Sequence, residues 1–126
     1  MDNPIKTRSI EFALNMVRLG KRLMEERREY ILTKQIIRSG TSIGANIAEA
    51  QHGQSRADFT AKMSIALKEA AETKYWIELL VGAGYLSEEE AGSILTECLE
   101  IEKTLCAIVN TSKKKKAKPP TESSAA

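Results

Sequence analysis

The chain is poor in the residues that build catalytic centres. Among 126 residues it has one histidine, two cysteines, three prolines and six aromatics. A lone His52 argues against histidine-rich metal centres and Ser-His triads. Cys98 and Cys106 are eight apart and form neither C-x-x-C nor any other metal spacing. No apolar run reaches the length of a membrane span. Met1-Asp2-Asn3-Pro4-Ile5-Lys6 lacks the apolar stretch and small-residue cleavage site of a secretory signal. The expectation is a cytoplasmic protein with free thiols and no membrane association. These absences favour a binding or assembly protein over an enzyme, with no cofactor.

What the chain does have is charge, and the charge is segregated. Residues 1–68 carry 12 Lys+Arg against 7 Asp+Glu, residues 69–112 carry 2 against 9, and residues 113–126 carry 5 lysines against Glu122. The overall +2 hides this pattern. Three arrangements are open: the halves neutralise each other within one fold, a basic face of one subunit meets an acidic face of the next, or the basic half meets a polyanion.

Apolar spacing predicts an all-α fold with four helices. Helix 1 is expected from about Thr7 to Arg28, with Ile10, Ala13, Leu14, Val17 and Met24 on one stripe and Met16, Leu19 and Leu23 beside it. The polar Glu25–Glu29 run reads as a fraying connection. Helix 2 is expected over about Leu32–Gln51, on Leu32, Ile36, Ile43, Ile47 and Ala50. Its middle, Ser39-Gly40-Thr41-Ser42-Ile43-Gly44-Ala45, has poor helix propensity, each glycine costing about 1 kcal/mol against alanine. Gly40 and Gly44 share a face and leave a smooth strip for a close neighbour; a loop through Gly40 is the alternative. Asn46 and Glu49 stand on the same helix and read as polar residues that fix its register.

Gly53 ends helix 2 and Ser55 caps helix 3, which is expected from about Arg56 to Gly82 or Ala83. Phe59, Met63, Ala66, Ala70, Ile77 and Leu80 form its heptad-like seam. Gly84 stops it. Ser87 and Glu90 form a capping box for helix 4, which continues through Ala91, Leu95, Cys98, Leu105 and Ile108 to about Thr111. Residues 1–112 are therefore expected as one antiparallel up-down-up-down four-helix bundle. Residues 113–126 are expected as a disordered basic tail.

Other motifs have bland explanations. Glu49-x-x-His52 fits one ligand pair of a carboxylate di-iron bundle, which needs that pair twice and two further glutamates. Gly40–Gly44 lacks the lysine and the preceding strand of a phosphate loop. Glu69 with Glu72, and Glu97 with Glu100, fit a solvated helix face, since no nucleophile accompanies them. Trp76 lies beside the helix 3 seam, open to core packing or to an intersubunit contact.

Several stretches resemble a known family. They are Ile37-Arg38-Ser39, the run from Ser42 to Ala50 with Asn46-Ile47-Ala48-Glu49 at its centre, Phe59 to Thr73, and Gly84-Tyr85-Leu86. They are similar to the bacterial four-helix-bundle proteins encoded in intervening sequences of 23S ribosomal RNA genes. The accessory variability protein of diversity-generating retroelements is similar to that family. The resemblance spans about residues 8–112. It implies a homopentameric ring with no established catalytic activity, which in the retroelement relatives is basic and works with a reverse transcriptase and its RNA. Members commonly carry two consecutive arginines where this chain has Arg38 followed by Ser39, and many have glycine where it has Ala50.

The expected function is thus a non-enzymatic, ring-forming helical bundle that binds RNA or DNA or serves as an accessory scaffold. The candidate polyanion contacts are Arg18, Lys21, Arg22, Arg38, Arg56 and the tail lysines Lys113, Lys114, Lys115 and Lys116. Gly40, Gly44, Asn46 and Glu49 are expected to be structural. The alternative is a protein-interaction subunit with no nucleic-acid role.

Overall fold

The structure, a computed structural model, describes residues 3–117, with side chains as far as residue 115. It contains four helices: α1 (Pro4–Arg27), α2 (Ile31–Ala50), α3 (Arg56–Gly82) and α4 (Glu88–Ala117). Each helix packs on its neighbours in chain order, and α4 returns to touch α1. Cross-helix pairs fix the directions. Arg8 meets Glu100 while Arg22 meets Glu90, so α1 and α4 are antiparallel. Arg38 meets Glu69 and Glu72 while Glu49 meets Lys62, so α2 and α3 are too. Thr60 bonds Ser112 and Cys98 bonds Ala70, which sets α3 against α4. The bundle is therefore up-down-up-down, as the short connections require.

α1 begins three residues earlier than the spacing predicts. Asn3 caps it, its Oδ1 accepting from the Lys6 N–H at 3.4 Å, and Pro4 occupies the first turn, where a missing N–H costs nothing. The stripe that reads most strongly in the sequence is not the buried one. α1 buries Ile5, Ser9, Phe12, Met16, Leu19, Gly20 and Leu23. Ile10, Leu14 and Val17 stay 49%, 47% and 45% exposed. Burying serine and glycine in their place lets α2 approach closely.

That approach explains the glycines of α2, which runs unbroken through Gly40. A Cβ on Gly40 would lie 2.5 Å from Met16 Cγ, and one on Gly44 would lie 3.2 Å from Ser9 Oγ. On the other side of the contact, a Cβ on Gly20 would lie 2.3 Å from Ile37 Cδ1. Packing between α1 and α2 thus offsets the lost helix propensity. The close neighbour of the small-residue strip is α1 of the same chain.

The connection before α2 is not a frayed end. Glu29 is only 8% exposed, and its carboxylate caps α2. It accepts from the Thr33 N–H at 2.7 Å, the Thr33 hydroxyl at 2.8 Å and the Leu32 N–H at 3.2 Å. Burial opposes the charge on Glu29, but these donors together hold its carboxyl below the usual glutamate value. Arg28 just before it adopts a left-handed backbone, φ 53°, a conformation more often given to glycine.

α3 starts on Ser55, whose Oγ accepts the Asp58 N–H at 3.1 Å, and ends before Gly84 at φ 84°. Its seam is as the spacing predicts, with Thr60 and Thr73 filling the gaps and Phe59 only half-buried. α4 uses half of the expected capping box. Ser87 Oγ accepts the Glu90 N–H at 3.1 Å, but the Glu90 carboxylate turns to Arg22. α4 also runs six residues past Thr111 to Ala117, so Lys113–Lys116 stand on a helix and not in a disordered tail. Lysine and alanine are good helix formers, which favours the extension. The remaining expectation of disorder, for 118–126, falls outside the described residues.

The core joins Phe12, Met16, Leu23, Ile36, Ile43, Ile47, Met63, Ile77, Leu80, Ile101 and Leu105. Its polar members are paired. Thr73 donates to Ser39 Oγ or to the Glu69 carbonyl, each at 2.8 Å, and Cys98 Sγ donates to the Ala70 carbonyl at 3.4 Å. α1 and α4 are the least intimately packed neighbours. A cleft of about 500 Å³ opens between them. No helix among the described residues is long and apolar enough to cross a membrane.

Candidate nucleic-acid interface

The antiparallel order puts the N-termini of α1 and α3 and the C-termini of α2 and α4 at one end of the bundle. Lys6, Arg56, Lys113, Lys114 and Lys115 gather there, all exposed, with the exposed Asp58 in the first turn of α3 as a carboxylate among them. Glu25, Glu26, Glu78, Glu88 and Glu89 belong to the opposite end, together with Arg27, Arg28 and Lys34. α4 alone spans about 45 Å at 1.5 Å per residue, so the two ends are well beyond a Debye length apart.

Between the ends, ion pairs join many of the charges of the basic and acidic halves of the sequence. Arg8 pairs with Glu100, and Arg22 with Glu90. Arg38 pairs with Glu72 and, at 3.3 Å, with Glu69. Glu72 also accepts from Trp76 Nε1 at 3.0 Å, which holds the half-buried indole against α3 with its edge on Tyr75. Lys62 Nζ lies 2.8 Å from Glu49, and Lys74 Nζ 2.7 Å from Glu102. The Glu102 carboxylate raises the Lys74 ammonium pKa against the opposing effect of burial. Arg27 donates to the Gly84 and Tyr85 carbonyls and stacks over the Tyr85 ring at 5.2 Å.

This pairing separates the nine candidate polyanion contacts. Arg22 and Arg38 are engaged by carboxylates. Arg18 and Lys21 are exposed on α1, Arg18 bonding Asn15 at 3.2 Å beside the α1–α4 cleft. Arg56, Lys113, Lys114 and Lys115 form no ion pair among the described residues and share one end of the bundle. The side chain of Lys116 lies outside the described residues. No sequence signal separates free arginines from paired ones, because the pairing depends on the register between helices.

Of the expected structural residues, Gly40 and Gly44 lie against α1. Asn46 Nδ2 bonds the Ser42 carbonyl of its own helix at 2.9 Å, so it ties no second helix. Glu49 reaches α3 through Lys62, a partly exposed pair of the kind worth at most about 1 kcal/mol. His52 is exposed in the turn after α2. Burial pushes the Cys98 thiol up to about 12, with the Glu102 charge adding to it, whereas Cys106 is exposed.

One feature lies outside the cation pattern. Ile10, Leu14 and Val17 of α1 line a groove of about 320 Å³ whose other wall is Thr41, Gly44 and Ala45 of α2. An apolar stripe of this kind on an otherwise charged surface is characteristic of an interaction face.

The model of the 23S rRNA-intervening sequence protein family matches residues 1–107. A solved structure from Bacteroides thetaiotaomicron VPI-5482, described as a protein of unknown function from the S23 ribosomal protein family, is 52% identical. The alignment covers 83% of this chain and 97% of that one, with a TM-score of 0.82. No curated protein matches.

Proposed function

Because the chain belongs to the 23S rRNA-intervening sequence protein family, we propose that it acts as a non-enzymatic, self-assembling cytoplasmic scaffold that binds nucleic acid through one end of its bundle. The observation that carries this reading is the sorting of cations. Along the shaft, Arg8, Arg22, Arg38, Lys62 and Lys74 are paired with carboxylates of the same chain, and Arg18, Lys21, Lys68 and Lys103, unpaired among the described residues, are spread over three helices. At one end Arg56 and Lys113–Lys115 cluster, and none of them forms an ion pair among the described residues. Unpaired cations clustered at one end supply the sequence-independent attraction on which polyanion binding rests.

The groove of Ile10, Leu14 and Val17 supports self-association. A second copy of the chain is its occupant, and a homopentamer is the closed form that the family resemblance implies. In a ring with cyclic symmetry the unpaired ends of all subunits would lie on one rim, multiplying their field. If the chain works as the retroelement proteins it resembles do, a reverse transcriptase and its RNA are further partners.

Fluorescence anisotropy with labelled RNA and DNA across a salt series tests the nucleic-acid half. Binding at about 50 mM salt that weakens steeply as salt rises is expected, and absent or salt-insensitive binding refutes it. Light scattering tests the assembly half: a Leu14→Lys chain is expected to fall to a smaller species, and a monomeric wild type refutes self-assembly. A protein-interaction subunit is the second reading, favoured by the same apolar groove. It predicts tight capture of one protein partner, lost in Leu14→Lys, with weak affinity for either nucleic acid.

A further inference from the structure

We propose that the groove between the N-terminal part of α3 and the C-terminal part of α4 is a binding site for single-stranded nucleic acid, seating one unstacked base between flanking phosphates. The inference rests on the nucleic-acid reading above and adds the site and the strandedness. The groove holds about 360 Å³ and is floored by Phe59, Ala107 and Ile108, with Arg56 and Lys115 on its rim. Thr111 and Ser112 close its wall, the Ser112 hydroxyl being bonded to the buried Thr60 behind it.

Its charge distinguishes it from the other grooves. The α1–α4 cleft sets Glu90 and Glu97 against Arg18 and Arg22. The groove at the far end of α3 and α4 carries Glu78 and Glu88. The α1–α2 groove has no charged residue, and the pocket at the start of α1 has a single cation, Arg8, which Glu100 engages. The Arg56 groove combines cations with an apolar floor, and among the described residues no carboxylate lines it. Half-buried Phe59 and Ile108 offer an apolar surface to the face of a base, and the two cations offer phosphate contacts on either side. This combination of a stacking surface and a basic rim is how sequence-tolerant single-strand binders work. A duplex keeps its bases stacked inside, so it reaches the rim but not the floor.

The test is anisotropy of full-length chain with labelled U12, dT12 and a duplex of equal length. U12, dT12 or both are expected to bind more tightly than the duplex. Arg56→Gln with Lys115→Gln is expected to weaken single-strand binding at least tenfold at about 0.1 M salt and to lower the salt slope by about 1.4, two contacts at roughly 0.7 each. Ala107→Leu adds bulk to the floor without changing charge. It is expected to cost about fivefold on single strands, the weak end of one stacked base, and to leave duplex binding unchanged. All three positions are exposed or on the rim, and circular dichroism checks that the helices persist. Duplex preference in the wild type, or wild-type affinity in both variants, overturns the proposal. Loss of binding in Arg18→Gln with Lys21→Gln but not in Arg56→Gln with Lys115→Gln also overturns it, while leaving the nucleic-acid function intact. A wild type that binds none of the probes overturns both.

Discussion

Replacing Glu29 by alanine tests how much the bundle depends on a cap that no helix-start rule predicts. The carboxylate occupies the place of an N-cap side chain for α2, although Tyr30 is the capping residue by position and makes no such bond. Losing a cap costs about 1 kcal/mol. The Thr33 hydroxyl, fully buried and donating to Glu29, is left without that acceptor, at about 1–3 kcal/mol. Together the loss is about 2–4 kcal/mol. For a domain of this size, each kcal/mol moves the melting temperature by about 4 °C, so a fall of roughly 8–16 °C is expected. Glu29→Gln retains an acceptor oxygen but loses the charge, and about 1 kcal/mol is expected.

The stabilisation by Glu29 depends on pH. Glu29 is held below its ordinary value of 4.5 in the folded chain. Its charge therefore contributes stability that is fully present above the unfolded value and drains away as pH falls through the lowered folded value. The gap between wild type and Glu29→Gln should be widest near neutrality and should narrow on acidification below about pH 4.5. Thermal melts by circular dichroism at one protein concentration, at pH 7 and again near pH 3, measure both effects. A Glu29→Ala chain that melts within 2 °C of wild type at pH 7 refutes the cap, and a Gln gap that is constant with pH refutes the role of its charge.

Other substitutions probe the packing. Gly40→Ala forces a Cβ to within 2.5 Å of Met16 Cγ, so overpacking of about 1–3 kcal/mol outweighs the gain of about 1 kcal/mol in helix propensity. Gly92→Ala meets nothing within 4 Å and should stabilise α4 by about 0.5–1 kcal/mol. Urea denaturation compares the two, and equal signs would defeat the explanation. Thr73→Val strands the buried Ser39 hydroxyl and should cost about 1–3 kcal/mol, part of which adding Ser39→Ala should restore; a strictly additive double mutant would count against the pair. A maleimide should label one thiol per native chain, Cys106, because Cys98 is buried with its pKa near 12. Labelling of both thiols at the same rate in native protein would contradict that burial.

The helices were legible where local chemistry decided them. Ser55, Ser87 and Gly84 mark their ends by propensity alone, and the α3 seam needs only heptad spacing. In α1 the spacing points to the wrong stripe because Ile10, Leu14 and Val17 are more apolar than the Ser9 and Gly20 that are buried. Periodicity finds an apolar stripe but does not tell a core from an outer face. Glu29 was missed because its role depends on a left-handed turn at Arg28, which nothing in Glu25–Glu29 announces. The candidate interface was half legible. The segregated charges were plain, but which cations remain free is set by helix register, and register is a property of the packed bundle.

The loose seam between α1 and α4 has a consequence for motion. Its ends are bridged by Arg8–Glu100 and Arg22–Glu90, which lie partly in solvent and hold weakly. The other three seams interlock through apolar side chains, buried hydroxyls or glycine contacts. Local opening should therefore begin where the first and last helices meet, as a book opens at its fore-edge, with α2 and α3 as the spine. Amide hydrogens of α2 and α3 would then exchange last, and added salt would speed exchange in α1 and α4 first.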